Sequence, residues 1–246
     1  MADKCFVIGA LLYPDYDLLD FNGTIRFLGS LESEQNLNVK IITISETGKK
    51  CNSASQCSNW ADYSFDDCPE FDVLLIPGGK SYRKEIENSA LIKFIDKWIP
   101  KVKYVLMVCS ASAFVAKTGH LDCKKATSNK SEFDRIVEYG LVLTILSIQV
   151  IINVMLIFKL AKLLGPNVNW IKHGRWIVDG KFYSSGGVSA GMDMALAWIS
   201  DVFGEKTAFK AAHRAEYVWN NNPALDPFSG MNFKENVGVL DFHSSK

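Results

Sequence analysis

Four short apolar runs rich in valine and isoleucine constrain this chain most: CFVIGALLY (5–13), VKIITIS (39–45), VLLIPGG (73–79) and YVLMVCS (104–110). Each has the length of a strand, and continuous rather than alternating hydrophobicity marks a strand covered on both faces. Between them, TIRFLGSLES (around 24–33) and SALIKFIDKWI (89–99) repeat apolar residues at three- and four-residue spacing, as amphipathic helices do. This alternation predicts βαβ units on a parallel sheet. In the second half, RWIVDGKFYSS predicts a hairpin turning at Asp179-Gly180. Two helices should follow, SAGMDMALAWISDVFG with Ser189 as N-cap, and KTAFKAAHRAEYVWN. From about Ser229 the tail is polar and is expected to be loose.

A length of 246 residues suits one large α/β domain or two small ones. The 27 basic residues balance the 27 acidic ones, and no basic run stands out, so no nucleic-acid partner is expected. The apolar stretch in MADKCFVIGALLYPDYD is short and leads straight into acids, unlike a secretory signal. The expected compartment is therefore the cytoplasm, and the six cysteines are expected to be free thiols. Cys51, Cys57 and Cys68 lack the paired CxxC spacing of a zinc site, and no metal is expected.

One segment breaks the α/β pattern. LVLTILSIQVIINVMLIF (141–158) carries no charge and is long enough for a transmembrane span. A span would separate two halves of a sheet that need each other to close. An extra helix, buried or facing a partner, is one alternative. A retained intron covering 141–165 is another, since Glu138-Tyr139-Gly140 joined to Pro166-Asn167-Val168 would make an ordinary loop. The Leu, Ile, Val, Phe, Asn and Lys content of the segment also suits translated AT-rich non-coding sequence. The expected domain is thus 1–228, interrupted at 141–165, with a tail at 229–246.

In open parallel sheets ligands bind beyond the carboxyl ends of the strands. YPDYDLLDFNG, IPGGKSY and VCSAS all fall there. Cys109 ends a strand among small residues that allow a sharp turn into a helix, whose N-terminus favours a thiolate. Cysteine is equally at home as an inert buried residue, and local sequence leaves both open. Gly78 and Gly79 could bring backbone N–H groups to a ligand as an oxyanion hole does, or simply form a loop. Asp20 is a carboxylate at the start of the first helix, either functional or an N-terminal cap, with Asp15 and Asp17 as loop acids. Ser110 could donate to a bound anion or cap its helix. A Cys-His dyad would need an imidazole beside the thiol. His120 lies about three turns along the helix, too far to serve, and His173 in WIKHGRW is the best remaining candidate.

At these residues the sequence resembles the ThiJ/PfpI superfamily, relatives of class I glutamine amidotransferases. The matching stretches include FVIGALLYPDYDLLDFNG, FDVLLIPGG, VLMVCSASAFVAKTGHLDCKKATSNKSEFDRI and the run from GPNVNW to DPF. The last of these is similar to the branch that contains isocyanide hydratase and the ligand-binding domains of some transcription regulators. The resemblance implies a flavodoxin-like, doubly wound, mostly parallel sheet with helices on both faces, a cysteine on a strand-to-helix nucleophile elbow, and a homodimer. Cys109 falls on the elbow nucleophile and Asp20 on the acid that hydratases place beside it. Ser110 stands where hydratases have threonine and PfpI-type proteases have histidine. The implied activity is cofactor-free hydration of a small isocyanide to an N-formamide. The alternatives are a glyoxalase-like enzyme of 2-oxoaldehydes, whose relatives use a glutamate in the first helix, or a redox sensor working through Cys109. The regulators' helix-turn-helix domain would not fit in the sequence read here.

Overall fold

The computed structural model describes residues 5–33, 37–138 and 168–230. The segment 141–165 and the tail beyond Gly230 lie outside the described residues, as do the expectations placed on them. The strands that precede the segment and those that follow it share one sheet. Its order is β10 (Trp176–Asp179), β11 (Phe182–Ser185), β7 (Tyr104–Met107), β6 (Val73–Ile76), β1 (Phe6–Leu12), β2 (Val39–Ser45) and β5 (Tyr63–Ser64). Every pair is parallel except the β10–β11 hairpin. The parallel core β2-β1-β6-β7-β11 has the 2-1-3-4-5 order of flavodoxin-like folds, with its switch point between β1 and β6. Two small ribbons complete the strands: β3 (Cys51–Asn52) with β4 (Ser58–Asn59), and β8 (Lys125–Ala126) with β9 (Asn169–Trp170). Among the described residues no helix is long and apolar enough to cross a membrane.

The four predicted strands form where the apolar runs lie, but two stop three residues before their runs do. β6 ends at Ile76 because Pro77 has no N–H to continue the ladder. Beyond β7, Val108 N–H still reaches Ile76 O at 3.0 Å, and the chain then turns at Cys109. The hairpin turns at Gly180, whose φ of 60° suits a residue without Cβ.

The helices divide into two groups that flank the sheet. Helix α1 (Leu18–Leu28) packs on α5 (Ser189–Phe203), and α5 on α6 (Glu205–Arg214). Helix α3 (Ser89–Trp98) packs on α4 (Ala111–Lys117), beside the one-turn helix α2 (Tyr82–Glu85). Fully buried Trp198 of α5 meets Phe6, Tyr104 and Phe203, while Trp98 of α3 stacks on Phe71 at 4.2 Å between centroids. Helix α1 starts six residues before the predicted stretch, since Asp17 accepts from Leu19 N–H and Asp20 N–H and so caps it. Helix α6 stops at Arg214, and AEYVWN continues as non-helical chain. Ser189 opens α5 without capping it; its hydroxyl accepts from Arg175 Nη2 at 3.3 Å.

Asp193, buried on α5, organises that non-helical chain. Its Oδ2 accepts from Arg175 at 2.6 Å, and its Oδ1 accepts from Tyr217 OH and Asn220 N–H at 2.9 and 3.1 Å. Its carbonyl takes the Trp219 indole N–H. Arg175 N–H in turn donates to Pro223 O at 2.8 Å. Residues 217–228 are thereby laid as a strap across the turn before β10. Removing one partner of a buried ion pair leaves the other charge unpaired, at about 3–5 kcal/mol. Asp193→Ala is therefore expected to lose about that much stability in urea denaturation, and a loss under 1 kcal/mol would contradict this role.

Candidate active site

Three loops meet at the carboxyl end of the sheet, on either side of the switch point. Cys109 sits between β7 and α4 with φ 61°, a conformation in which few residues with a Cβ are found. This is the predicted elbow. Its carbonyl accepts from Ser128 Oγ at 2.9 Å, and that serine is held by Ser112 Oγ at 2.9 Å. Only 9% of Cys109 is exposed, toward a cavity of about 410 Å³ that Gly79, Ser110, Asn129 and Val188 also line.

The glycines of IPGG make room for this arrangement. A Cβ on Gly78 would lie 2.7 Å from Asp20 Oδ2 and 2.8 Å from Cys109 Cβ, and one on Gly79 would lie 2.6 Å from Asp15 O. Their N–H groups, which the sequence offered either to a ligand or to a loop, bond within the protein. Gly78 N–H donates to Asp20 Oδ2 at 3.0 Å, and Gly79 N–H to Ser110 Oγ at 3.2 Å, so both donors are engaged inside the protein. Ser110 likewise makes no helix cap, because its hydroxyl is turned to the Gly79 backbone. Asp17 N–H donates to Gly78 O, and Tyr13 OH to Pro77 O, which ties the loop after β6 to the loop after β1.

Asp20 is completely buried, and its Oδ1 has no hydrogen-bond partner among the described residues. Burial, then the charge of Asp17, push its pKa well above the usual carboxylate range, against the pull of Gly78 N–H and Cys109. The Cys109 thiol also moves upward, through burial first and the adjoining Asp20 second. Burial thus opposes the thiolate that the helix N-terminus favours. The Ser110 N–H does favour the anion, as does Asn129, but burial outweighs both. Two such groups side by side share protons rather than ionise together. Burial thus favours the neutral form of both groups.

Asn129 was not singled out in the sequence. Its Nδ2 donates to Cys109 Sγ at 3.1 Å. Its Oδ1 accepts from Ser131 N–H, Ser131 Oγ and Glu132 N–H, which fixes the amide with its donor end on the sulfur. A Cβ on Gly187 would come within 2.5 Å of Nδ2, so that glycine gives the amide its space. The sequence does carry a signal for half of this: Asn129-Lys-Ser-Glu132 has the spacing of a helix-capping box. Nothing in it announces a sulfur twenty positions away. No histidine takes this place among the described residues. His173 is exposed in its loop, and His120 pairs with Asp96 at 2.9 Å.

Two measurements check this electrostatic picture. A hydrogen bond to a charged group contributes about 1.5–3 kcal/mol. Asn129→Ala is therefore expected to slow iodoacetamide alkylation of Cys109 at neutral pH by about tenfold or more and to move its pH midpoint upward. An unchanged midpoint would remove Asn129 from the site. As for Asp20, a carboxyl raised by burial keeps its proton in the fold where the unfolded chain has lost it. Stability then falls as pH climbs from about 4 through the folded-state value. Asp20→Asn lacks that penalty, so its melting temperature should exceed the parent's at pH 8 and converge with it near pH 4. A constant difference across that range would count against a protonated, buried Asp20.

Residues 10–201 match the DJ-1/PfpI family. Over 214 residues the chain is 28% identical to an isonitrile hydratase of Pseudomonas putida, covering 86% of this chain and 78% of that one. Among solved structures, a ThiJ/PfpI family protein from Pseudomonas syringae aligns with a TM-score of 0.70, at 22% identity over 91% of this chain and 79% of that one. Drosophila melanogaster DJ-1beta aligns with 0.66, at 16% identity over 88% and 100%. The family match takes in Asp20, Gly78, Gly79, Cys109 and Ser110 together with most of the sheet, and on that ground the chain belongs to the DJ-1/PfpI family.

Proposed function

We propose that this protein hydrates small isocyanides, R–N≡C, to N-formamides, with Cys109 as nucleophile and Asp20 as proton donor and acceptor. The observation that carries this reading is an elbow thiol that lines the cavity and meets an amide rather than an imidazole, backed by a fully buried carboxyl with one unpartnered oxygen. A Cys-His hydrolase needs a base to take the thiol proton away. Adding a nucleophile to an isocyanide has a different need: a proton must arrive at the same carbon that the sulfur attacks. A neutral carboxylic acid beside the sulfur supplies it, and burial favours the neutral form of Asp20.

The steps balance as follows. The cycle starts from the minor thiolate form of Cys109, whose proton has gone to water. Its sulfur bonds to the terminal carbon, and the Asp20 proton goes to that carbon, which leaves the thioimidate Cys–S–CH=N–R and the Asp20 carboxylate. Water adds to the carbon, giving its hydroxyl there and a proton to nitrogen. The C–S bond breaks, the hydroxyl proton returns to Asp20, and R–NH–CHO leaves with the thiolate regenerated. Asn129 Nδ2 holds the sulfur in both anionic stages. Similarity to an isonitrile hydratase over 86% of the chain supports the same reading. The burial and raised pKa of Cys109 weigh against peroxide sensing, which favours exposed, acidic thiols.

The test is formamide production from methyl and cyclohexyl isocyanide, followed by NMR. Cys109→Ala should abolish it, and Asp20→Asn should lower kcat by at least about a hundredfold, the lower end of general acid–base contributions. Full turnover by Cys109→Ala would end this mechanism.

A further inference from the structure

Lys130 and Asp226 form an ion pair that the proposed reaction does not use and that burial disfavours. Their charged groups are 3.3 Å apart, and both side chains are only 3% exposed. Charges are seldom taken so far from water unless they are paired and hydrogen-bonded. Burial pushes the Lys130 ammonium down from the usual lysine value, and Asp226 gives the largest pull back.

The pair sits beside the sulfur along the chain. After β8 the chain turns through Thr127, Ser128, Asn129 and Lys130, and the Lys130 side chain folds back over this turn. Its Nζ donates to Thr127 Oγ1 at 2.8 Å, to Ser128 O at 3.3 Å and to Gly174 O, ahead of β10, at 2.7 Å. Thr127 N–H is held in turn by Ser184 Oγ of β11 at 2.9 Å. The two residues in the middle of the turn are the ones that touch Cys109. Ser128 Oγ donates to its carbonyl at 2.9 Å, and Asn129 Nδ2 to its sulfur at 3.1 Å. One ammonium thus closes the turn that grips the nucleophile at both ends.

Asp226 reaches Lys130 from the strap 217–228, whose other end is fastened to Asp193 through Tyr217 and Asn220. Without that carboxylate the buried lysine would give up a proton or move toward water. Either change takes a donor away from Thr127, Ser128 or Gly174 and loosens the turn. A pair that merely stabilised the fold would lower the melting temperature and leave the sulfur as it was.

We infer that Lys130 and Asp226 are positioning residues for Cys109: through them the strap fixes the turn that aims the Asn129 amide at the sulfur, and so sets how reactive the thiol is. The inference rests on Cys109 as the reacting group, as in the hydratase reading, but on no particular substrate, so isocyanide turnover does not decide it. The NNNPALDPF stretch, which lies outside the sheet and its helices, thereby acquires a part in the chemistry of the elbow.

The experiment follows iodoacetamide alkylation of Cys109 against pH in the full chain, read by mass spectrometry of the peptide that carries it. Asp226→Asn should slow the reaction at neutral pH by about three- to tenfold and move its midpoint upward, a part of what a hydrogen bond to a charged sulfur contributes. In an Asn129→Ala background the same substitution should add nothing, because the amide it acts through is gone. Asp20 and Asp17, whose charges bear on the thiol directly, are the same in every variant. Should Asp226→Asn fail to fold, Lys130→Met combined with Asp226→Leu fills similar space without charge, a replacement that buried ion pairs often tolerate. That double variant should show the same slowing and the same dependence on Asn129. Unchanged alkylation in a folded variant, or equal slowing with and without Asn129, overturns the inference and leaves a pair that only stabilises the fold. An Asn129→Ala protein whose thiol reacts like the parent's also overturns it, since the strap then has nothing to act through.

Discussion

The backbone of Cys109 is held in a left-handed conformation that costs of order 1–3 kcal/mol for a residue with a side chain. The rest of the site is arranged to hold it there. Val108 remains tied to β6, Ala111 N–H turns back to Val108 O, and Ser128 grips the Cys109 carbonyl. Gly78 leaves the gap into which the Cys109 Cβ and the Asp20 carboxyl project. The turn thus presents the sulfur at the sheet's carboxyl edge, at the price of a loop with no room for a Cβ at 78 or 79.

Much of this was readable because it depends on period and on strand ends. The four apolar runs located the parallel strands, and Asp179-Gly180 located the hairpin, since both signals are local. Cys109, Asp20, Gly78 and Gly79 converge because a parallel sheet gathers its strand ends, so their meeting followed from topology without any knowledge of side chains. Their individual jobs did not follow. Asp17 and Asp20 are three residues apart with the same chemistry; only depth makes one a cap and the other a buried acid. Gly78 and Gly79 read equally as donors to a ligand or as a loop; in the fold they give space to their neighbours, and their N–H groups bond to Asp20 and Ser110. Asn129 and Asp193 were missed because their partners lie about twenty residues away or more, at distances that no helical or strand period encodes.

The electrostatic character of the site also differs from what its position suggests. A helix N-terminus favours an anion by a modest amount that falls off within a turn. Burial acts on the same thiol in the opposite direction, and it is the largest cause of the thiol's upward shift. The resting site is therefore closer to neutral than the motif implies. Its reactivity depends on how Asn129 and Ser110 N–H offset the loss of water, with Asp20 as the shared proton store.

The sheet order has a bearing on how the chain is made. β7 leads into the elbow, and its outer neighbour is β11, whose Phe182 pairs with Val105, 77 positions earlier. On a ribosome adding about 5–20 residues per second, β7 stays an open edge for roughly 4–15 s before its partner strand has been synthesised. An apolar edge is the part of a nascent sheet most prone to pair with the wrong chain. Each residue of the connection between β7 and β11 adds to that interval, so the length of this connection bears on the folding history of the elbow.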